Sequence, residues 1–558
     1  MTSSPANAAD PVADCKVAYP VADLVADLAA EPPVTVTGLT VDTGTTPEVF
    51  TGEVIGVLHD GIAPGLPMVM ARLSSPEIDR VGIWAGMSGS PVYAENGDLI
   101  GAVAYGLAWG PSPVAGITPF EEMDKYMTAP APARIEIDDR LARRIASETD
   151  VTARQASEGF SQLPMSVSVS GLSQRRLDQM QGKKAPRFVK FRGARAMGAA
   201  SSAAAATPDD LVAGGNLGAA LSTGDITAGG VGTVTSVCND RLVGFGHPFG
   251  YFGKTTLGLM PAEAIYVQED LITGFKVANL GDVAGTIDQD RLAGITGSLG
   301  AAPEGTVISS DVAYGTDSRP GGSESYIQSY DASITFSQIL ANHDRVLDAF
   351  QAGSEAATFS IKGIDANGND FNIAWRDRYV SSYDISFDSA WEVADTVWLL
   401  SRMTDVDIQS VTATAVVSDN TSVWRLRSVQ QKRGAKWVTL GRRQPAVVNP
   451  GGTLQLRAQL TRGSSTKTVP LALAVPRKTS NNGFLEVTGG LSMWDNGLYG
   501  AKTPVQMEAA VAAMTKNDQV NASLRFFKRG PDIIRKHNSQ SQSLAVRGGT
   551  WAEVLVRR

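Results

Sequence analysis

Short apolar or Val/Thr-rich runs, separated by turn-forming residues, dominate the chain between residues 33 and 117. They include VTVTGLTV, VFTGEVIGVL, LPMVMARL, LIGAVAYG and VAGIT, a pattern typical of short β-strands. The Asn-Gly pair of ENGD, residues 95–98, predicts a tight hairpin turn. After the last run, PFEEMDKYM predicts a helix with Thr118 as its N-cap and Pro119 at its first position. Residues 33–130 therefore predict a small barrel closed by a helix.

This pattern of short strand-like runs stops after the barrel and returns further along the chain. DDRLARRIASE predicts a second, more exposed helix, and the Ala/Ser-rich stretch 193–210 lacks apolar periodicity, which favours a flexible linker. Beyond it we expect a second barrel, then hairpins mixed with helices, then the strand pattern of a sandwich. The predicted domains are a first β-barrel (33–130), a helical connector and linker (131–209), a second β-barrel (210–310), an α+β region (311–404), a β-sandwich (405–490) and a small C-terminal α/β extension (491–558).

Composition and charge narrow the function classes. The 558 residues carry a net charge of −8, which argues against a nucleic-acid partner. No apolar run approaches the ~18 residues of a membrane span, so we do not expect an integral membrane protein. The N-terminus MTSSPANAADPVADCK lacks the regions of a signal peptide, yet ANAAD resembles the end of a cleaved one, and we expect a secreted or cell-envelope protein. Cys15 and Cys238 allow either one disulfide or two unrelated thiols.

The segment GMSGSP, residues 86–91, lies between two apolar runs and has two interpretations. Gly-Ser segments are commonly plain turns, because Gly adopts positive φ and Ser bonds to its own backbone. The same turn suits serine chemistry, which needs a projecting hydroxyl and converging N–H groups. Gly86 stands two residues before Ser88 and Gly89 directly after it, so Ser88 is placed like the nucleophile in the G-x-S-G-x-P turn of chymotrypsin-like proteases.

A serine nucleophile needs a base, and the chain has four histidines. His343, in LANHDRVL, and His537, in a polar tail, are predicted to lie on the surface. His59 lies in GVLHDGIAPG at the predicted tip of a hairpin beside Asp60, where adjacent side chains seldom face each other. His247 ends the apolar strand of VGFGHPFG, where an imidazole can stand at a barrel rim and face a partner. His247 is therefore our candidate base, with a structural histidine as the alternative.

Two segments resemble the SpoIVB-type serine peptidases. GIWAGMSGSPVYAENGDLIGAVAYG followed by VAGITPFEEM is similar to the family's serine segment, and GTVTSVCNDRLVGFGHPFG to the strand–turn–strand that ends in its Gly-His pair. The resemblance covers roughly residues 33–130 and 210–310. It implies two chymotrypsin-like barrels, with Ser88 as nucleophile, His247 as base and the N–H groups of Gly86 and Ser88 as oxyanion hole.

The chain departs from that family in two respects. Ser88 precedes His247 by 159 residues (247 − 88), whereas the family has the histidine segment first. A triad is defined by geometry and not by chain order, so the exchange does not exclude activity. The family's aspartate, expected in a D-P pair before the serine turn, aligns with Ser75. The remaining candidates for the acid are Asp79, Asp288 and Asp290, and we assign it to Asp290.

These features predict a mainly β protein with two chymotrypsin-like barrels, an α+β region and a C-terminal sandwich. The first hypothesis is an exported serine endopeptidase that acts on a protein or peptide and needs neither metal nor cofactor. The resemblance implies narrow specificity and self-cleavage. The alternative is a non-catalytic envelope protein that keeps the two-barrel fold as a binding scaffold, and a third class, an adhesive surface protein, rests only on the β-rich 405–490 region.

Overall fold

The chain is mainly β and divides into two compact units. The first unit comprises Met1–Gly305 and Ser323–Tyr330, and the second comprises Thr306–Gly322 and Asp331–Arg558. Among the described residues, no helix is both long and apolar enough to cross a bilayer. The computed structural model of the protein describes residues 15–30, 33–123, 134–135, 139–148, 152, 156, 160–163, 168–182, 185–191, 195–196, 206–480, 482–493, 497–527 and 531–557.

Six strands near the start of the first unit close into an antiparallel barrel. They are β1 (Val34–Thr40), β2 (Glu48–Ala63), β3 (Leu66–Ser74), β4 (Pro91–Tyr93), β5 (Leu99–Leu107) and β6 (Val114–Pro119). Their order is β1-β2-β3-β6-β5-β4, and β4 pairs back onto β1. Side chains of alternate strand residues point inward, and Val36, Val54, Val69 and Val103 share one buried cluster there. This barrel agrees with the fold class that the strand pattern predicts.

Three short helices accompany this barrel. They are α1 (Val21–Ala30), α2 (Pro76–Val81) and α3 (Phe120–Met123). The predicted N-cap of α3, Thr118, instead lies at the end of β6, and the helix begins at Phe120. Helix α2 begins at Ser75, whose hydroxyl accepts a hydrogen bond from the N–H of Ile78, with Pro76 in the first turn.

The segment between the two barrels contains short elements. They are β7 (Arg134–Ile135), α4 (Asp139–Glu148), β8 (Phe160–Gln162), β9 (Ser168–Val169), α5 (Gln174–Gln181) and β10 (Arg195–Ala196). Strand β8 pairs with β5 and with β7, so it extends the sheet of the first barrel. Asp139–Glu148 of the DDRLARRIASE segment is helical, as its pattern predicts, but the helix is less exposed than expected, because Ala142 and Ile145 are buried in one cluster with barrel residues. Most of the predicted linker 193–210, namely residues 193–194 and 197–205, lies outside the described residues.

A second antiparallel barrel follows in the same unit. Its segment contains β11 (Asn216–Gly224), β12 (Ala228–Cys238), β13 (Arg241–Gly244), β14 (Gly253–Gln268), β15 (Phe275–Leu280), β16 (Gly285–Arg291) and β17 (Gly294–Leu299). The barrel closes in the order β11-β12-β13-β17-β16-β14, while β15 forms a hairpin with the far end of β14. Taken in chain order, its six strands repeat the order of the first barrel.

The α+β region, which belongs to the second unit except for Ser323–Tyr330, consists of a sheet and two long helices. The elements are β18 (Thr306–Tyr314), β19 (Asp317–Ser325), α6 (Asp331–Leu347), β20 (Gly353–Ile364), β21 (Asp370–Ser381), α7 (Ser386–Leu400) and β22 (Asp407–Ser418). Strand β22 lies between β18 and β20 and pairs with both along its length. The predicted sandwich boundary at residue 405 therefore falls too early, because the apolar positions of β22 complete this sheet.

The C-terminal sandwich has two five-stranded sheets. The elements are β23 (Trp424–Arg433), β24 (Lys436–Thr439), β25 (Ala446–Val448), β26 (Thr453–Arg462), β27 (Ser465–Ala474), β28 (Asn482–Gly489), α8 (Pro504–Ala513), β29 (Val520–Phe526), β30 (Ile533–Asn538), β31 (Val546–Arg547) and β32 (Gly549–Val556). One sheet has the order β24-β23-β26-β27 with β31 beside β23, and the other has the order β25-β32-β28-β29-β30. The predicted boundary at residue 490 divides this sandwich, because strands beyond it complete both sheets around one core.

Candidate active site

The turn that carries Ser88 requires its glycines. Gly86 and Gly89 have φ of 104° and 100°, a region that favours glycine. A Cβ on Gly89 would lie 1.9 Å from the carbonyl oxygen of Thr233, so no larger residue fits there. Within the first barrel, the N–H of Gly89 donates to the carbonyl of Val103 at 2.7 Å. The turn is therefore fixed on one side by β5 and pressed against the second barrel on the other.

Two threonines of the second barrel hold the same turn, and sequence reasoning did not identify them. The backbone N–H of Thr233 donates to the carbonyl of Ser88 at 2.7 Å, and its hydroxyl donates to the carbonyl of Gly86 at 3.1 Å. The hydroxyl of Thr235 donates to the carbonyl of Gly89 at 2.7 Å. Both lie in GTVTSV, where threonines at alternate positions of a strand share one face. The alternate spacing of these two threonines is the sequence feature that could have identified them.

Ser90, the second serine of GMSGSP, contacts buried threonines of both barrels instead of a histidine. The hydroxyl of Ser90 lies 2.9 Å from that of Thr40 on β1 and 3.5 Å from that of Thr233, and all three side chains are buried. Its N–H closes the turn onto the carbonyl of Met87 at 3.0 Å. Ser90 thus packs between the barrels, while Ser88 faces a different partner.

His247 meets Ser88, as the two motifs predict. Its Nε2 lies 2.8 Å from the Ser88 Oγ, and its Nδ1 lies 2.8 Å from the carbonyl oxygen of Pro248. A carbonyl only accepts hydrogen bonds, so Nδ1 carries the proton and Nε2 accepts from the Ser88 hydroxyl. This is the tautomer that a general base requires. The contact fits the prediction that His247 is a catalytic base. It does not exclude the alternative, in which His247 is a structural histidine.

The segment before His247 is bent to bring the ring to the serine. Phe245 and Gly246 have φ of 69° and 68°. A Cβ on Gly246 would lie 2.9 Å from the Cβ of Ala104, so this glycine allows the segment to approach β5 closely. The hydroxyl of Thr118 donates to the carbonyl of Gly246 at 2.6 Å. Thr118, predicted as a helix cap, therefore secures the histidine segment.

Burial lowers the pKa of His247 from 6.5 to about 4, with a smaller opposing contribution from the Pro248 carbonyl. Both His247 and Ser88 have no exposed surface in this structure. Removing an imidazole from water disfavours its charged form. His247 is therefore neutral, and able to accept a proton, over most of the pH range.

Asp290, the acid assigned from the sequence, is bonded to the loop after His247. Its carboxylate accepts the backbone N–H groups of Phe249 at 2.8 Å, Gly250 at 2.8 Å and Phe252 at 3.0 Å. Burial raises the pKa of Asp290, and these N–H groups oppose that shift. The place of a triad carboxylate beside Nδ1 is taken by the carbonyl of Pro248. Asp290 thus shapes the loop that supplies this carbonyl.

The other acid candidates have different partners. Asp288 forms an ion pair with Arg241 on the surface of the second barrel. Asp79 accepts a hydrogen bond from the hydroxyl of Ser74, 3.2 Å away. Ser75, which aligns with the family's aspartate, caps α2 through its hydroxyl. These contacts fix all three residues in local structure.

The remaining histidines lie apart from Ser88. His59 is exposed on β2, within a bulge of that strand rather than at a hairpin tip. His537 is half-buried on β30. The prediction that His343 lies on the surface is wrong. It is fully buried on α6, where its Nδ1 bonds the carbonyl of Ile339 and its Nε2 faces Glu355 at 3.5 Å, because this helix is buried along most of its length.

The N–H groups of Gly86 and Ser88 belong to the same buried turn. In the part of the chain that the structure describes, neither donates to a protein acceptor. The side chain of Lys276 packs over Gly86, whose Cβ would lie 2.7 Å from that of the lysine, and its ammonium donates to Asn216 at 2.7 Å. Burial lowers the pKa of Lys276 to about 7. Among the described residues, these two N–H groups of the turn therefore have no protein acceptor, and the buried side chain of Lys276 lies beside Gly86.

No protein-family model, curated protein or solved structure compared with this chain matches it. The likeness to SpoIVB-type peptidases therefore rests on the two sequence segments alone.

Proposed function

We propose that this chain is a serine endopeptidase with Ser88 as nucleophile and His247 as general base. The observation that carries the proposal is the 2.8 Å contact between Nε2 and Oγ in the tautomer set by Pro248. Nε2 takes the hydroxyl proton as Oγ attacks the carbonyl carbon of a peptide bond, then gives that proton to the leaving amine. A water molecule, deprotonated by the same nitrogen, releases the acyl group.

The N–H groups of Gly86 and Ser88 are suited to stabilise the oxyanion of the tetrahedral intermediate. They lie in one rigid turn, so no reorganisation is needed when negative charge develops. The partner of Nδ1 is a carbonyl and not a carboxylate, and a neutral acceptor stabilises the imidazolium less than a charged one. We therefore propose a slow enzyme, and we propose that it acts on few substrates because the resemblance to SpoIVB-type peptidases implies narrow specificity.

The substrate is a protein or peptide, and we propose that the enzyme works outside the cytoplasm. The disulfide between Cys15 and Cys238 supports export, since such bonds persist mainly in oxidising compartments. No step of the mechanism needs a metal or an organic cofactor.

The test is a fluorophosphonate probe, which reports the nucleophile without requiring a known substrate. Oγ attacks phosphorus, fluoride leaves and His247 accepts the proton. We expect mass spectrometry to locate the label on Ser88, Ser88→Ala to abolish it and His247→Ala to slow it about 100-fold or more. Ser90→Ala and His59→Ala, each checked for folding, serve as controls that keep the label. A label elsewhere, or wild-type labelling of His247→Ala, would contradict the proposal.

A second candidate is the non-catalytic envelope scaffold. The full burial of Ser88 and His247 favours it, since a working site must admit a substrate. The same probe separates the two functions. A scaffold would stay unlabelled in the wild type and in variants that open the site.

A further inference from the structure

The edge of β5 next to the serine turn is occupied by another part of the same chain. Strand β4 covers β5 only from Leu99 to Ala102. Further along β5, the antiparallel strand β8 pairs with it at Tyr105, Gly106 and Leu107. One residue beyond β8, the N–H of Leu163 donates to the carbonyl of Ala104 at 3.1 Å. Residues 160–163 thus add one short extended strand to this edge.

This strand ends beside the Ser88–His247 pair. Ala104 follows Val103, whose carbonyl accepts the N–H of Gly89 in the serine turn. The Cβ of Ala104 also lies 2.9 Å from where a Cβ on Gly246 would stand, directly before His247. Ala104, whose carbonyl accepts the N–H of Leu163, therefore adjoins both the serine turn, through Val103, and the histidine segment, through its own Cβ.

The side chain of Leu163 fills an apolar site at this position. It is 2% exposed and belongs to the buried cluster that contains Ile83 and Trp84. A Cβ on Gly106 would lie 3.1 Å from the Leu163 Cδ2 and 4.0 Å from the Ile83 Cγ2. The missing side chain of Gly106 thus makes the space that the leucine occupies.

An extended peptide bound on a sheet edge takes its affinity from backbone hydrogen bonds and its specificity from pockets for single side chains. We propose that residues 160–163 occupy the substrate strand of the enzyme, so that the site accepts an extended peptide with a leucine-sized apolar residue before the bond that is cut. This proposal rests on the proposed function. The chain's own strand holds the site closed, which accounts for a fully buried nucleophile and base.

The sequence offers a reason why this internal strand would resist cleavage by its own site. The residue after Leu163 is Pro164, whose ring nitrogen carries no hydrogen and whose ring crowds the peptide bond. The strand therefore resembles a substrate on the acyl side of the bond and resists cleavage at the bond itself. Residues 160–163 act as an inhibitor in cis.

Removal of the leucine side chain tests the closure. We expect Leu163→Ala to raise the rate of fluorophosphonate labelling at Ser88 at least tenfold, and Leu177→Ala, at a buried leucine on α5, to leave it unchanged. The opened variant should hydrolyse Phe-Ser-Gln-Leu p-nitroanilide in preference to the same peptide ending in Ala or Asp. Equal labelling rates for the wild type and Leu163→Ala, with Ser88 labelled in both, would overturn the inference and leave the proposed function standing.

The subsite itself is tested by Gly106→Ala in the Leu163→Ala background. The added Cβ narrows the space beside Ile83, so the preference should shift from Leu to Ala by a factor of ten or more in kcat/KM. An unchanged preference would place the subsite elsewhere.

A binding measurement separates this inference from catalysis. The peptide Phe-Ser-Gln-Leu, with a free carboxylate and a fluorophore at its N-terminus, should bind to Ser88→Ala/Leu163→Ala at least tenfold more tightly than to Ser88→Ala. Absence of that difference overturns the inference even if no variant is labelled. Binding without any labelling would support the strand and refute the peptidase.

Discussion

In the proposed mechanism, the protonation state of His247 decides whether Ser88 can be activated. An imidazole with an ordinary pKa of 6.5 is half protonated in mildly acidic solution and then cannot accept the serine proton. Burial lowers the pKa of His247 to about 4, because the charged ring would lose its hydration. The neutral form of His247 therefore persists at a pH well below the one at which an exposed histidine becomes protonated.

This shift predicts the acid limb of the pH profile. The labelling rate of Ser88, measured by fluorophosphonate in the wild type, where His247 is buried, should stay level from pH 7 to about 5 and fall below about 4. His59→Ala should leave that limb in place, since His59 is exposed on β2. Intrinsic fluorescence at each pH establishes that the chain is folded. A limb centred near 6.5 would mean that the base is a solvated histidine.

Among the elements, the loop between β13 and β14 depends on one buried carboxylate. Asp290 on β16 accepts three backbone N–H groups of this loop, which follows directly on His247. A buried N–H without a partner costs free energy comparable to a lost hydrogen bond. Removal of this carboxylate should therefore disorder the loop and displace the Pro248 carbonyl from His247.

Asp288 and Asp290, two residues apart in GTIDQDR, allow a matched pair of substitutions to be compared. Asp290→Ala should lower the free energy of unfolding by about 3 kcal/mol, because it removes a buried acceptor and leaves three part-buried N–H groups of the loop without their partner. Asp288→Ala removes a surface ion pair with Arg241 and should cost less than about 1 kcal/mol. Chemical denaturation measures both. Equal effects of the two substitutions would show that the loop does not depend on Asp290.

The sequence predicts these elements to different degrees. Ser88 and His247 could be located because their glycines reveal turns that admit no larger residue, a local property visible in the residue order. The partner of Nδ1 could not be located, since a backbone carbonyl leaves no signature in side chains. His343 was misjudged for a related reason. Polar neighbours such as Asn342 suggest a surface helix, whereas tertiary packing buries this asparagine and bonds it to Ser310.

In the first unit, the candidate active site depends on contacts between two barrels of equal strand order. The Ser88 turn belongs to one barrel, and the threonines that hold it and the histidine belong to the other. Additional contacts join the barrels at a distance from the site. The N-terminal segment runs along the first barrel, where Val17 and Tyr19 bond to Leu99, and the disulfide links it through Cys15 to Cys238 at the end of β12. Strand β12 also carries the two threonines.

The disulfide should therefore stabilise the barrel pair and leave the rest of the chain unaffected. It closes a loop across 223 residues of sequence, and removing such a crosslink commonly costs about 2–5 kcal/mol. Cys15→Ser/Cys238→Ser should unfold in its barrel unit at a lower temperature, while the unit that contains the sandwich, which has no cysteine, keeps its own transition. Calorimetry measures both transitions, and the wild type treated with reductant provides the matched comparison. Because β12 holds the Ser88 turn, the variant should also be labelled by fluorophosphonate at a different rate from the wild type. Unchanged transitions and an unchanged labelling rate would show that noncovalent contacts alone hold the two barrels at the site.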